Sequence, residues 1–104
     1  MSSQTKKRFE YIDVWAYSSS RTEILVNVKN IGTLEAIIES IFIEGKPLSI
    51  VNGGTSNPRI PVILKVGASE TITLDFQSPL TSGITNITIR TYSGRLYSKV
   101  VIIP

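Results

Sequence analysis

The chain has 104 residues, 41% of them hydrophobic and 18% charged, with a formal net charge of +3. That is ordinary globular material for one domain with a single core. There is no Cys and no His, which removes thiol and imidazole nucleophiles, the commonest general base and the usual transition-metal ligands, so no catalytic, metal or cofactor site is expected.

The basic residues cluster only in Lys6-Lys7-Arg8. A nucleic-acid binder needs a basic stripe interleaved with exposed aromatics or a helix that enters a groove, and neither is visible. No segment approaches the roughly 18 uninterrupted apolar residues of a membrane span, and Met1 to Arg8 is too polar for a secretion signal. Residues 1–8 read as a polar leader or linker, and residues 9–104 as the folded domain.

In chain order, Phe9 to Tyr17 alternates, with Ile12, Val14 and Ala16 on one face and Tyr11, Asp13, Trp15 and Tyr17 on the other. This predicts a strand. Ser18 to Arg21 reads as a turn, and Thr22 to Asn30 as a second strand with Ile24, Val26 and Val28 inward. Asn30 and Gly32 are residue types that tolerate the positive φ of a sharp strand exit.

Leu34, Ile37, Ile38 and Ile41 also suit one side of a short helix, but the β-branched and aromatic content of Ile37 to Ile43 favours a strand. Glu44-Gly45-Lys46 reads as a hairpin turn into a short strand over Pro47 to Val51. Asn52 to Pro61 holds Gly53-Gly54, Pro58 and Pro61 and predicts a loop of about ten residues, either a functional loop or a long crossover.

Val62 to Val66 predicts a short strand and Gly67-Ala68 a turn. Ser69 to Phe76 predicts a strand with Ile72, Leu74 and Phe76 inward, and Ser78 to Gly83 a loop. Thr85 to Tyr92 follows with Ile87 and Ile89 inward, then a tight turn at Ser93-Gly94 and a last strand over Arg95 to Ile103. Short strands at this spacing with no convincing helix predict an all-β, immunoglobulin-like two-sheet β-sandwich of about seven strands.

Val28-Lys29-Asn30-Ile31-Gly32, the hairpin Ile43-Glu44-Gly45-Lys46, the turn Lys65-Val66-Gly67-Ala68-Ser69-Glu70 and the ending Gly83…Ile87-Thr88-Ile89…Ser93-Gly94 together resemble the immunoglobulin-like ectodomains of archaeal cell-surface proteins. Within that group the chain looks most like the soluble domain of an archaellum stator subunit, the F or G component, or of a related type IV pilin-like envelope protein. The resemblance implies a location on the extracellular or pseudoperiplasmic side of the archaeal membrane. It also implies a full-length protein anchored by a segment absent here, and an envelope partner such as the S-layer protein. A pilin-like filament subunit or an adhesion module is the alternative.

The residues themselves favour binding over chemistry. The carboxylates, among them Asp13, Asp75 and Glu10, show no catalytic spacing, and Ser19 and Ser69 lack a base and a nucleophile elbow. Tyr11, Trp15 and Tyr17 are expected outward on the first strand. On the last strand Leu96, Val100 and Ile102 are expected inward, with Tyr97, Val101 and Ile103 outward beside Lys99. First and last strands commonly lie together in such folds, so the two rows are expected to merge into one partner surface. Ile60 and Ile63, beside the long loop, are a second candidate surface. Such surfaces and open strand edges also predict a homo-oligomer, a dimer being the simplest. In the opposite orientation of the first strand, Tyr11 and Trp15 would be core residues. Asn86-Ile87-Thr88 is a glycosylation sequon if the protein is exported.

Overall fold

The computed structural model describes residues 8–104, which form nine strands and one short 3-10 helix. The strands are β1 (Ile12–Ser20), β2 (Glu23–Asn30), β3 (Ala36–Ile43), β4 (Lys46–Pro47), β5 (Thr55–Asn57), β6 (Val62–Leu64), β7 (Ser69–Asp75), β8 (Gly83–Thr91) and β9 (Leu96–Ile103). One sheet has the order β1-β2-β7-β5. The other runs β4-β3-β8-β9, with β6 also on β3. Every pairing is antiparallel, and the two sheets enclose one core as a β-sandwich.

Period-two patterning builds that core. Ile24, Val26 and Val28 of β2 and Ile72 and Leu74 of β7 are fully buried and meet Ile38, Ile87 and Ile89 of the other sheet. On β3 the period breaks: Ile38 and Ile41 are both buried, and the pairing with β8 shifts between Ile38 and Ser40. A bulge inserts one extra residue and so turns two apolar residues three apart to the same side. This is why the segment carried a helix-like spacing while folding as a strand.

Other segments depart from the sequence reading. Ser18 to Ser20 continues β1 instead of turning, through a bulge at which Ser18 pairs Ile24 and Ser20 pairs Glu23. The Glu44-Gly45 hairpin forms with both residues at positive φ, 50° and 76°, as a tight hairpin turn needs. Its second strand has only two residues before Leu48–Ile50 forms the 3-10 helix. The predicted loop over 52–61 contains β5, which pairs β7.

Asn30 and Gly32 act differently from the expected positive-φ exit, since neither lies among the positive-φ residues. Asn30 is fully buried. Its side-chain amide donates to Leu34 O (2.7 Å) and Leu64 O (2.9 Å), and its Oδ1 accepts from Gly32 N–H (3.0 Å). One amide thereby ties β2 to the loop that follows and to β6 of the other sheet. Gly32 is needed for closeness: a Cβ there would stand 2.6 Å from Phe9 O and from Tyr11 N.

Candidate protein-binding surfaces

The first strand orients as its alternation requires. Ile12 and Val14 are buried, while Tyr11, Trp15 and Tyr17 are exposed, Trp15 at 58%. The Trp15 and Tyr17 rings lie nearly parallel, 6° apart in plane with centroids at 6.1 Å. They stand on the outer face of their sheet, with Asn27 opposite Trp15 and Leu25 opposite Tyr17. Asn27 in turn donates to Thr71 Oγ1 at 3.2 Å. The result is a flat surface with two aromatic bodies and a polar flank. Trp15 as a core residue is excluded.

The last strand is inverted relative to the sequence reading. Val101 and Ile103 are buried, at 4% and 2% exposure, and Tyr97 packs half-buried against the core. The outward row is Leu96, Val100 and Ile102. The cause is one residue in the preceding turn. A two-residue turn at Ser93-Gly94 would put Val100 opposite Ile87. Instead Thr91 N–H donates to Arg95 O at 3.0 Å, three residues form the loop, and Lys99 stands opposite Ile87. A slip of one residue exchanges the two faces of a strand. Lys99 misleads as a marker of the outer face because, on an edge strand, its long stem reaches water from the inner side.

The expected merged patch is therefore replaced by two separate surfaces. β1 and β9 do lie close, and the Tyr11 and Tyr97 rings meet edge to face at 6.3 Å. Their outward rows, however, belong to opposite faces of the sandwich. On the second sheet Ile84 pairs Ile102 and Asn86 pairs Val100, so Ile84, Val100 and Ile102 form an exposed aliphatic cluster on the outer face of its last two strands. Asn86, half-buried on this face, donates its N–H to Glu44 Oε1 at 2.9 Å. Of the second candidate pair, Ile60 packs against the core and Ile63 is exposed.

The structure also reveals a polar clasp that sequence reasoning missed. Glu10 Oε1 accepts from the Thr91 hydroxyl (2.7 Å) and the Tyr97 phenol (2.9 Å), and its Oε2 accepts from Ser93 (2.9 Å). Arg95 Nη1 donates to Glu10 O at 2.7 Å. Burial raises the Tyr97 phenol above its ordinary value, with Arg95 opposing and Glu10 reinforcing the shift. The residues come from the leader side of β1 and from the β8–β9 hairpin, too far apart in sequence for any local signal. A single carboxylate surrounded by hydroxyls fastens two sheets, and no second carboxylate takes part. Among the described residues no group of three potential metal ligands occurs, and no helix is long and apolar enough to cross a membrane.

No family model and no curated protein sequence matches the chain. Among solved structures, the fold is similar to the archaellum periplasmic stator protein FlaG from Sulfolobus acidocaldarius, with a TM-score of 0.66 and 19% identity over 88% of this chain and 99% of that one. It is also similar to a chain of the archaellum periplasmic stator protein complex FlaF and FlaG from the same organism, with a TM-score of 0.64 and 19% identity over 96% of this chain and 99% of that one. At this identity the likeness is one of fold.

Proposed function

We propose that this domain is a non-enzymatic binding module of the archaellum machinery, located outside the cytoplasmic membrane and holding the motility apparatus to a protein of the envelope. The carrying observation is a sandwich that matches stator-type structures over nearly their whole length and exposes apolar surface on both outer faces. An anchor must hold two things at once. The Trp15 and Tyr17 pair on one sheet and the Ile84, Val100 and Ile102 cluster on the other point away from each other, so each is free to take its own partner. Aromatic anchors of this kind supply much of the affinity of protein interfaces.

The S-layer protein is the proposed partner on one side, and another stator subunit or a second copy of this chain on the other. Sedimentation of the full chain with isolated S-layer protein, and separately with purified stator subunits, tests this. Trp15→Ala should weaken one of these associations about tenfold or more, the loss expected of a hot-spot residue. Its folding stability should fall by no more than about 1.5 kcal/mol, the scale of one aromatic pair, against roughly 3 to 5 kcal/mol for a core Trp. Absence of association with either class of protein would overturn the reading, and open-ended self-assembly would replace it with a filament subunit.

A further inference from the structure

A groove of about 740 Å³ runs along the side of the sandwich away from β1 and β9, between β3 and β4 on one wall and β5 on the other. Its construction is unusual in leaving strand backbone open on both sides. Along that edge of β3, β6 covers Ala36 to Ile38 and β4 covers Phe42 and Ile43, while Glu39 to Ile41 has no strand beside it. Across the groove β5 is the edge of its sheet, paired only with β7. Strand edges present rows of N–H and C=O groups that another extended chain satisfies.

The side chains narrow the occupant further. Ile41, Phe42, Leu48 and Ile60 supply an apolar lining, and no carboxylate contributes to it. Arg59 is the one charged residue in the lining and is exposed. The ion pair found among the described residues is Arg90 with Glu39, so Arg59 is left without a carboxylate. Pro58 precedes Arg59 and Pro61 follows two residues later, restricting the backbone that carries it. Guanidinium is suited to bidentate capture of a carboxylate.

We propose that this groove is a peptide-binding site, taking an extended apolar segment that adds its backbone to the open edges and places a carboxylate on Arg59. The proposal goes beyond the anchoring role, because the groove lies apart from both outer faces. A through-running strand does not fit along β3, since β4 and β6 close the gap at both ends. The occupant is therefore a short extended stretch that pairs along the free edge of β5 and meets β3 only at the three-residue gap, with apolar residues toward the half-buried Phe42 and Ile60.

The test is selection of phage-displayed random heptapeptides on the full 104-residue chain, followed by amide NMR with the synthetic peptides. Enriched sequences should combine β-branched or aromatic residues with Asp or Glu, and should shift the amides of Ser40, Ile41 and Ser56. Arg59→Glu should weaken them about tenfold or more, as loss of a charge-assisted pair does, with an unchanged melt. Arg59→Lys should retain part of the affinity. Failure to enrich any peptide that perturbs these amides overturns the proposal. So does equal binding to Arg59→Glu, or peptides that map only to the outer faces. None of these outcomes depends on S-layer or stator binding, so the two readings fail separately.

Discussion

Glu10 and Thr91, 81 residues apart in the chain, are joined by a 2.7 Å hydrogen bond from the Thr91 hydroxyl to Glu10 Oε1. Thr91 is fully buried, so its hydroxyl cannot turn to water for a partner. The bond fastens the segment entering β1 to the end of β8 in the opposite sheet. Ser93, Tyr97 and Arg95 complete the clasp from the β8–β9 hairpin.

Glu10→Ala should destabilise the domain by about 1 to 2 kcal/mol, because the buried Thr91 hydroxyl is left with Ser93 alone and the half-buried Tyr97 phenol loses its acceptor. Glu10→Gln, which keeps one acceptor oxygen, should lose less. Urea unfolding reads both as a lower midpoint at constant slope. An Ala variant as stable as the parent would show that the clasp is ornamental.

Alkaline pH should loosen the same clasp. The folded protein holds the Tyr97 proton to higher pH than the unfolded chain does, because its value is raised above 10.0 by burial. The stability linked to that proton is fully present below pH 10 and disappears as pH rises through the folded value. Tyr97→Phe should start less stable near about pH 8, having lost the bond to Glu10, and then decline less steeply above about pH 10. Parallel declines for the two proteins would contradict this.

Asn30→Ala should cost about 2 to 3 kcal/mol, since Leu34 O and Leu64 O lose their shared donor while Gly32 N–H keeps Tyr11 O. Asn30→Asp should fail to rescue it, because a carboxylate cannot donate to two carbonyls. Thermal melts of the two variants near that of the parent would remove Asn30 from its place as the link between β2 and β6.

Neighbouring residues on β9 should respond in opposite ways to the same substitution. Val101→Lys places an ammonium in the core and should cost several kcal/mol or abolish folding. Val100→Lys, at a site 56% exposed, should leave the melt within about 0.5 kcal/mol of the parent and weaken whatever association uses the Ile84 and Ile102 cluster. If Val100→Lys unfolded the protein instead, the register of β9 on β8 would be wrong.

Much of the sandwich was legible in residue order because β1, β2, β7 and β8 alternate between apolar and polar side chains. With period two, the set Ile24, Val26 and Val28 has only one face to occupy once Asn27 and Lys29 are solvated. The outward Trp15 and Tyr17 were read from the same alternation. β9 carries apolar residues in both parities, so its pattern contains no such choice. There the face was decided by turn length, through the bond from Thr91 to Arg95.

Other features also lay beyond local pattern. Asn30 was legible as a strand terminus, but its role as a buried link needs the carbonyl of Leu64, which only packing of the two sheets brings near. The groove beside Arg59 needs the separate ends of β3 to be covered by β4 and β6 while its middle is left open. Local sequence determines which side chains can share a strand face, because alternation is a property of neighbouring residues. Tertiary structure decides which strand edges meet and which stay open, because that depends on loop lengths and on burying the apolar faces of both sheets together.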